Sequence, residues 1–110
     1  MEELQNRLLY ELKALITHLD KYGEYDWSQQ FSLIKNSINN GNIKGIDALK
    51  KVRGGMGSFT DLIICQANGH NINKNEEGFA NTELWRLGGI VFSTADDIKK
   101  ELKKEEKVKK

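Results

Sequence analysis

Ser58, Asp61, Cys65 and His70 lie within one short stretch of this 110-residue chain and supply, by type, a nucleophile, an orienting acid and a base. No recognised motif fixes their mutual geometry, so a small enzyme is an alternative and not the first expectation. Just before them runs Val52-Arg53-Gly54-Gly55-Met56-Gly57-Ser58-Phe59-Thr60-Asp61, with three glycines in four positions. Glycine reaches backbone angles that other residues adopt only at a cost. Exposed amides in such a loop could form a nest for an anion, helped by Lys51 and Arg53. The phosphate-loop pattern is missing its Lys-Ser/Thr pair, and the dinucleotide pattern would need a preceding strand and a third correctly spaced glycine. The plainer expectation is a tight chain reversal with Met56 and Phe59 filling the core. A zinc site needs about four ligands at workable spacing. One cysteine with His18 and His70 does not provide them, and no metal or cofactor is expected.

The segment Gly54 to Leu62, followed by Asn68-Gly69-His70, resembles an uncharacterised family of small bacterial proteins sharing a Gly-Gly-Met-Gly-Ser-Phe-x-Asp-Leu core and a downstream Asn-Gly-His. The resemblance covers roughly the middle third of the chain. Such proteins look like the immunity proteins of bacterial competition loci, so the resemblance implies a protein partner, a cognate toxin domain. Thr60 departs from the pattern, which more commonly has Asn there, and this puts in doubt any chemistry by an amide at that position.

The elements that must position these residues read mainly as helices. Leu4, Leu8, Leu12, Leu15, Ile16 and Leu19 share one helical face, and Gly23 offers the left-handed residue that closes such a helix. Asp26 with Gln29 matches a capping box for a second helix carrying Trp27, Phe31, Ile34 and Ile38. Asn39-Asn40-Gly41-Asn42 should stop it, and Ile43, Ile46, Leu49 and Val52 predict a shorter third helix weakened by Gly45. Periodicity fails at Leu62-Ile63-Ile64-Cys65. The Asn68-Gly69 turn signal makes a short β-hairpin near 62–72 one solution, provided Leu62, Ile64 and Ile72 are buried against helices. Helix returns near Asn81 through Trp85, Leu87 and Ile90, and Ser93 or Thr94 could cap a last one with Ile98 and Leu102, unless the two run together. Most of Trp27, Phe31, Phe79, Trp85 and Phe92 should lie in the core, since large aromatics dominate small cores. The fold class is a small bundle of four to five amphipathic helices with a Gly-rich loop, as one domain over 1–102, and 103–110 as a solvated basic tail.

Composition bounds the function. A content of 38% hydrophobic and 30% charged residues suits a globular domain. The acidic Met1-Glu2-Glu3 start lacks the basic flank of a secretory signal, and the apolar runs are far shorter than the roughly 20 residues needed to span a bilayer. With a single cysteine, a reducing cytoplasm is the expected location. The net charge of +1 conceals seven lysines against three acids in 99–110, leaving ten basic and thirteen acidic residues before them. A folded surface of that sign disfavours nucleic acid, whose binding draws on clustered Lys and Arg. A non-enzymatic binding protein is therefore the first expectation. Its candidate contact residues are Arg53, Met56, Ser58, Asp61 and His70, with Glu76 and Glu77 available to a basic partner. An enzyme or anion-binding domain using the Gly54 to Asp61 loop is the alternative.

Overall fold

The computed structural model describes residues 2–42, 44–53 and 59–108, with the side chains of 106–108 left aside. Among the described residues, four α-helices follow one another: α1 (Glu2–Lys21), α2 (Tyr25–Asn39), α3 (Lys44–Arg53) and α4 (Glu77–Val108). Three single 3-10 turns, Phe59–Asp61, Gln66–Asn68 and Lys74–Glu76, articulate the connection between α3 and α4. The expected mainly helical bundle is the fold, and the described residues contain no strand.

α1 forms where its leucines predict. Leu8, Leu12, Leu15 and Leu19 are all fully buried, spaced three or four apart so that they stack on one side of the helix. Its end is a Schellman cap built on Gly23. The Glu24 N–H donates to Leu19 O at 2.9 Å and the Gly23 N–H to Asp20 O at 3.1 Å, with Gly23 at φ +75°. The same motif closes α2, where Asn42 donates to Ser37 O at 2.8 Å, Gly41 donates to Ile38 O at 3.0 Å and Gly41 sits at φ +80°. The reversal at Gly23 lays α2 antiparallel to α1, so Gln5 near the start of α1 reaches Ile38 O near the end of α2 at 2.8 Å. The capping box expected at Asp26 does not form. Glu24 is the N-cap, without a side-chain cap bond, because α2 starts directly from the Schellman turn and places Asp26 inside the first turn. There its charge still suits the positive end of the helix dipole.

Gly45 does not merely weaken α3. A Cβ on it would lie 2.8 Å from Ile38 Cγ1 and 3.2 Å from the backbone oxygen of Ile34, so the glycine is what lets α3 close onto α2. Gly45→Ala should therefore destabilise the protein by about 1–2 kcal/mol through overpacking, although alanine is the better helix former. A higher denaturant midpoint for the variant would disprove the close approach.

α4 is a single helix where the sequence left one or two open. Neither Ser93 nor Thr94 begins a helix; both lie inside α4, and Thr94 is buried. Its apolar stripe of Ala80, Leu84, Val91, Ala95 and Ile98 runs antiparallel along α1, and at one end His18 Nε2 lies 2.9 Å from Ala80 O. The helix continues to Val108 through the segment read as a tail, where Lys103, Lys104 and Glu105 are exposed. No helix among the described residues is long and apolar enough to cross a membrane.

The expected hairpin at 62–72 is absent, and the reason is where the backbone hydrogen bonds go. Asn81 from α4 takes both Ile64 groups: its Oδ1 accepts from Ile64 N at 2.7 Å and its Nδ2 donates to Ile64 O at 2.8 Å. Glu77 Oε1 accepts from Gln66 N at 2.9 Å, and Gln66 Nε2 donates to Ile72 O at 2.7 Å. Side chains thus do the work of a partner strand, as buried backbone groups require some partner. The Asn68-Gly69 signal is spent on a 3-10 turn closed by Gly69 at φ +87°. Ile64 and Ile72 are still buried and Leu62 is half-buried, so the apolar side of the expectation holds without the ladder.

Candidate functional site

The groove that best combines polar groups lies where the turn between α1 and α2 meets the Cys65–Asn71 segment. It is open, about 450 Å³ in volume, and is bounded by Lys21, Glu24 and Tyr25 on one wall and by Asn68, His70 and Asn71 on the other. Two left-handed glycines, Gly23 and Gly69, shape its edges. The walls are joined beneath by a hydrogen bond from His70 Nε2 to Glu24 Oε1 at 2.5 Å. The His70 side chain is only 6% exposed. Its Nδ1 lies 3.1 Å from both N and O of Cys65. With the Nε2 proton directed at the carboxylate, Nδ1 stays on the Cys65 backbone in either form, accepting from its N–H when bare and donating to its C=O when protonated.

Both imidazole nitrogens are therefore committed within the chain. A general base needs one ring nitrogen facing the reacting group. Here the pair is a staple holding the 65–70 turn onto the start of α2, and what remains for an incoming molecule is the outer edge of Glu24, Lys21 and the exposed Tyr25. Removing the carboxylate with Glu24→Ala should cost about 2 kcal/mol, because it breaks a charge-assisted bond and leaves a buried ring nitrogen unpaired. A double-mutant cycle with His70→Ala checks this: additive effects would mean that the two side chains do not act as a pair.

The remaining sequence candidates among the described residues do not gather around this groove. Arg53, at the end of α3, reaches Asp96 Oδ2 of α4 at 3.3 Å and lies over the Phe92 ring, 5.5 Å from its centroid. Asp61 sits exposed in the first 3-10 turn. Met56 and Ser58 fall outside the described residues. Glu76 is exposed and accepts from Asn73 Nδ2 at 3.2 Å, while Glu77 is occupied by the Gln66 amide. Two regions thus emerge, one at the flanks of the Gly-rich loop and one at the 65–77 connection. Cys65 is half-buried with a free thiol, and its backbone, not its sulfur, meets His70. Among the described residues, no group of three or more His, Cys, Asp or Glu side chains could hold a metal ion.

A family model described as a domain of unknown function (DUF6966) matches residues 20–73. That stretch is just under half of the chain. It opens at Asp20 beside one wall of the groove, closes at Asn73 beyond the other, and includes the Gly-rich loop with both of its flanks. The chain is similar to that family over α2, α3 and the connection that follows, whereas most of α1 and all of α4 lie outside the match. No curated protein and no solved structure matches the chain.

Sequence reasoning missed Glu24 and Asn81. Nothing local announces either one, since Glu24 acts on a histidine 46 positions away and Asn81 on a backbone 17 positions away. Of the five aromatics expected for the most part in the core, Phe31 and Phe92 are buried and Trp27 half-buried, whereas Phe79 and Trp85 are 63% and 60% exposed because they project outside the stripe that α4 buries.

Proposed function

We propose that the chain is a non-enzymatic binding protein of the immunity type, which neutralises a cognate toxin by covering its surface. The observation that carries this reading is the exposure of Tyr10, Tyr25, Phe79 and Trp85. Large aromatics are the side chains most enriched among binding hot spots, because they bury much area with few rotatable bonds. Two of the candidate polar groups are spent on contacts within the chain: His70 on Glu24 and the Cys65 backbone, and Arg53 on Asp96 and Phe92. A rigid helical face of about 800 Å² is enough for a specific complex, with no need for an enclosed pocket.

The test is co-production with any toxin-like domain found in a neighbouring reading frame, scored by cell growth and by isolation of a one-to-one complex. Trp85→Asp and Phe79→Asp, both at exposed positions, should preserve the helical signal and the melting temperature. They should weaken the complex at least tenfold, about 1.4 kcal/mol or more. Growth that is not restored, with no complex at micromolar concentrations, would sink the reading.

A further inference from the structure

A second groove runs between α1 and α4. It has a volume of about 440 Å³, with Ala14, Leu87 and Ile90 as its apolar floor and Arg7, Tyr10 and Arg86 at its rim. Glu11 lines the same groove. Its side chain is only 11% exposed, and one carboxylate oxygen, Oε1, is shut off from solvent with no hydrogen-bond partner among the described residues. The other, Oε2, is met by Arg7 Nε at 3.3 Å, a single long contact from a side chain that is itself largely exposed.

A buried carboxylate oxygen without a donor forgoes both its hydration and a charge-assisted bond. The other charges at the groove are already answered. Arg86 donates from both Nε and Nη2 to the two oxygens of Glu83, at 2.9 and 2.8 Å. That pairing holds the Glu83 carboxyl below its ordinary range and raises the Arg86 guanidinium above its own. Arg7, Glu11, Glu83 and Arg86 therefore balance in charge, and the missing element is one donor at Oε1.

We propose that this groove receives a lysine side chain of the protein partner. The proposal rests on the reading of the chain as a partner-binding protein and names the chemistry of one contact. An ammonium suits the site better than a guanidinium, because only one carboxylate oxygen is available and a guanidinium is satisfied by two in a fork. The four methylenes of the lysine lie along Ala14, Leu87 and Ile90, as long basic side chains do on apolar surface. The exposed ring of Tyr10 stands at the entrance, where an aromatic face attracts a cation. Arg7, held by one contact, swings outward to admit it.

The probe is n-butylammonium chloride, which reproduces the lysine side chain beyond its Cα, followed by the methyl resonances of Leu87 and Ile90. Saturable shifts at millimolar concentration are expected in the wild type. A loss of at least tenfold in affinity is expected for Glu11→Gln, and n-butanol should bind at least tenfold more weakly than the amine. Ala14→Leu, which fills the floor but keeps Glu11, should weaken the same probe even if Glu11→Gln proves unstable. No saturable shift, equal binding by butanol, or full binding by a folded Glu11→Gln variant would each overturn the proposal. The assay contains no toxin domain, so its failure would leave the immunity reading standing, and failure of toxin binding would leave the ammonium site standing.

Discussion

Phe59→Ala is expected to cost about 3–5 kcal/mol, as for other large aromatics deleted from a core. Phe59 is buried directly after the Gly-rich loop and forms the hub of the aromatic cluster. Its ring stands edge-on to Phe31 at 4.9 Å, to Trp27 at 5.5 Å and to Phe92 at 6.1 Å, joining α2 to α4 through a residue that belongs to neither. The ring also presses on α4 where that helix has no side chain, since a Cβ on Gly88 would lie 2.9 Å from Phe59 Cε2. This predicts a change of sign. Gly88→Ala alone should destabilise by overpacking against a ring that has no free direction in which to move. In the Phe59→Ala background the same substitution should be neutral or stabilising, because the opposing ring is gone and alanine is worth about 1 kcal/mol over glycine within a helix. Denaturant unfolding of the four proteins decides it: additive effects would mean that Phe59 and Gly88 do not meet.

The parts of this architecture that were legible are those fixed by short-range rules. A leucine every three or four residues places the buried face of α1, and Gly23 and Gly41 close their helices by a local backbone requirement that only the left-handed conformation meets. Gly45 was legible only as a weak point, and Gly88 carried no sequence signal. Their actual role is close approach, which depends on Ile38 and Phe59 arriving from other elements. The 62–72 segment was ambiguous for the same reason: its apolar run promised burial but could not say whether a strand or side chains would take its amides. The candidate site was less legible still. His70 stood out as a titratable residue beside a turn signal, yet its meaning depends on Glu24, which reads alone as one more surface acid. The exposed Trp85 and Phe79 look like core residues by type, and only the phase of α4 against α1 turns them outward.

Asn81→Leu should destabilise the protein by about 3 kcal/mol or more, although leucine is larger, more apolar and the better helix former. Asn81 is buried, and its amide makes three hydrogen bonds, to Ile64 N, Ile64 O and Glu77 O. Leucine matches much of its volume but offers neither donor nor acceptor. The substitution therefore leaves the Ile64 N–H and C=O facing an apolar surface, and each unsatisfied buried group costs about 1–3 kcal/mol. Asn81→Asp separates shape from polarity. The isosteric carboxylate can still accept from Ile64 N but sets an oxygen against Ile64 O and Glu77 O, so the damage should be comparable at neutral pH despite a perfect fit. The amide of Ile64 supplies a second readout. In the native protein it should exchange with solvent as slowly as the core of α4, whereas either variant should release it, because the 62–72 segment has lost the side chain that replaces a partner strand. If Asn81→Leu keeps the wild-type midpoint and the Ile64 amide stays protected, then packing of Ile64 and Ile72 alone holds the segment. Asn81 would then be incidental to the connection that carries Cys65, His70 and Glu77.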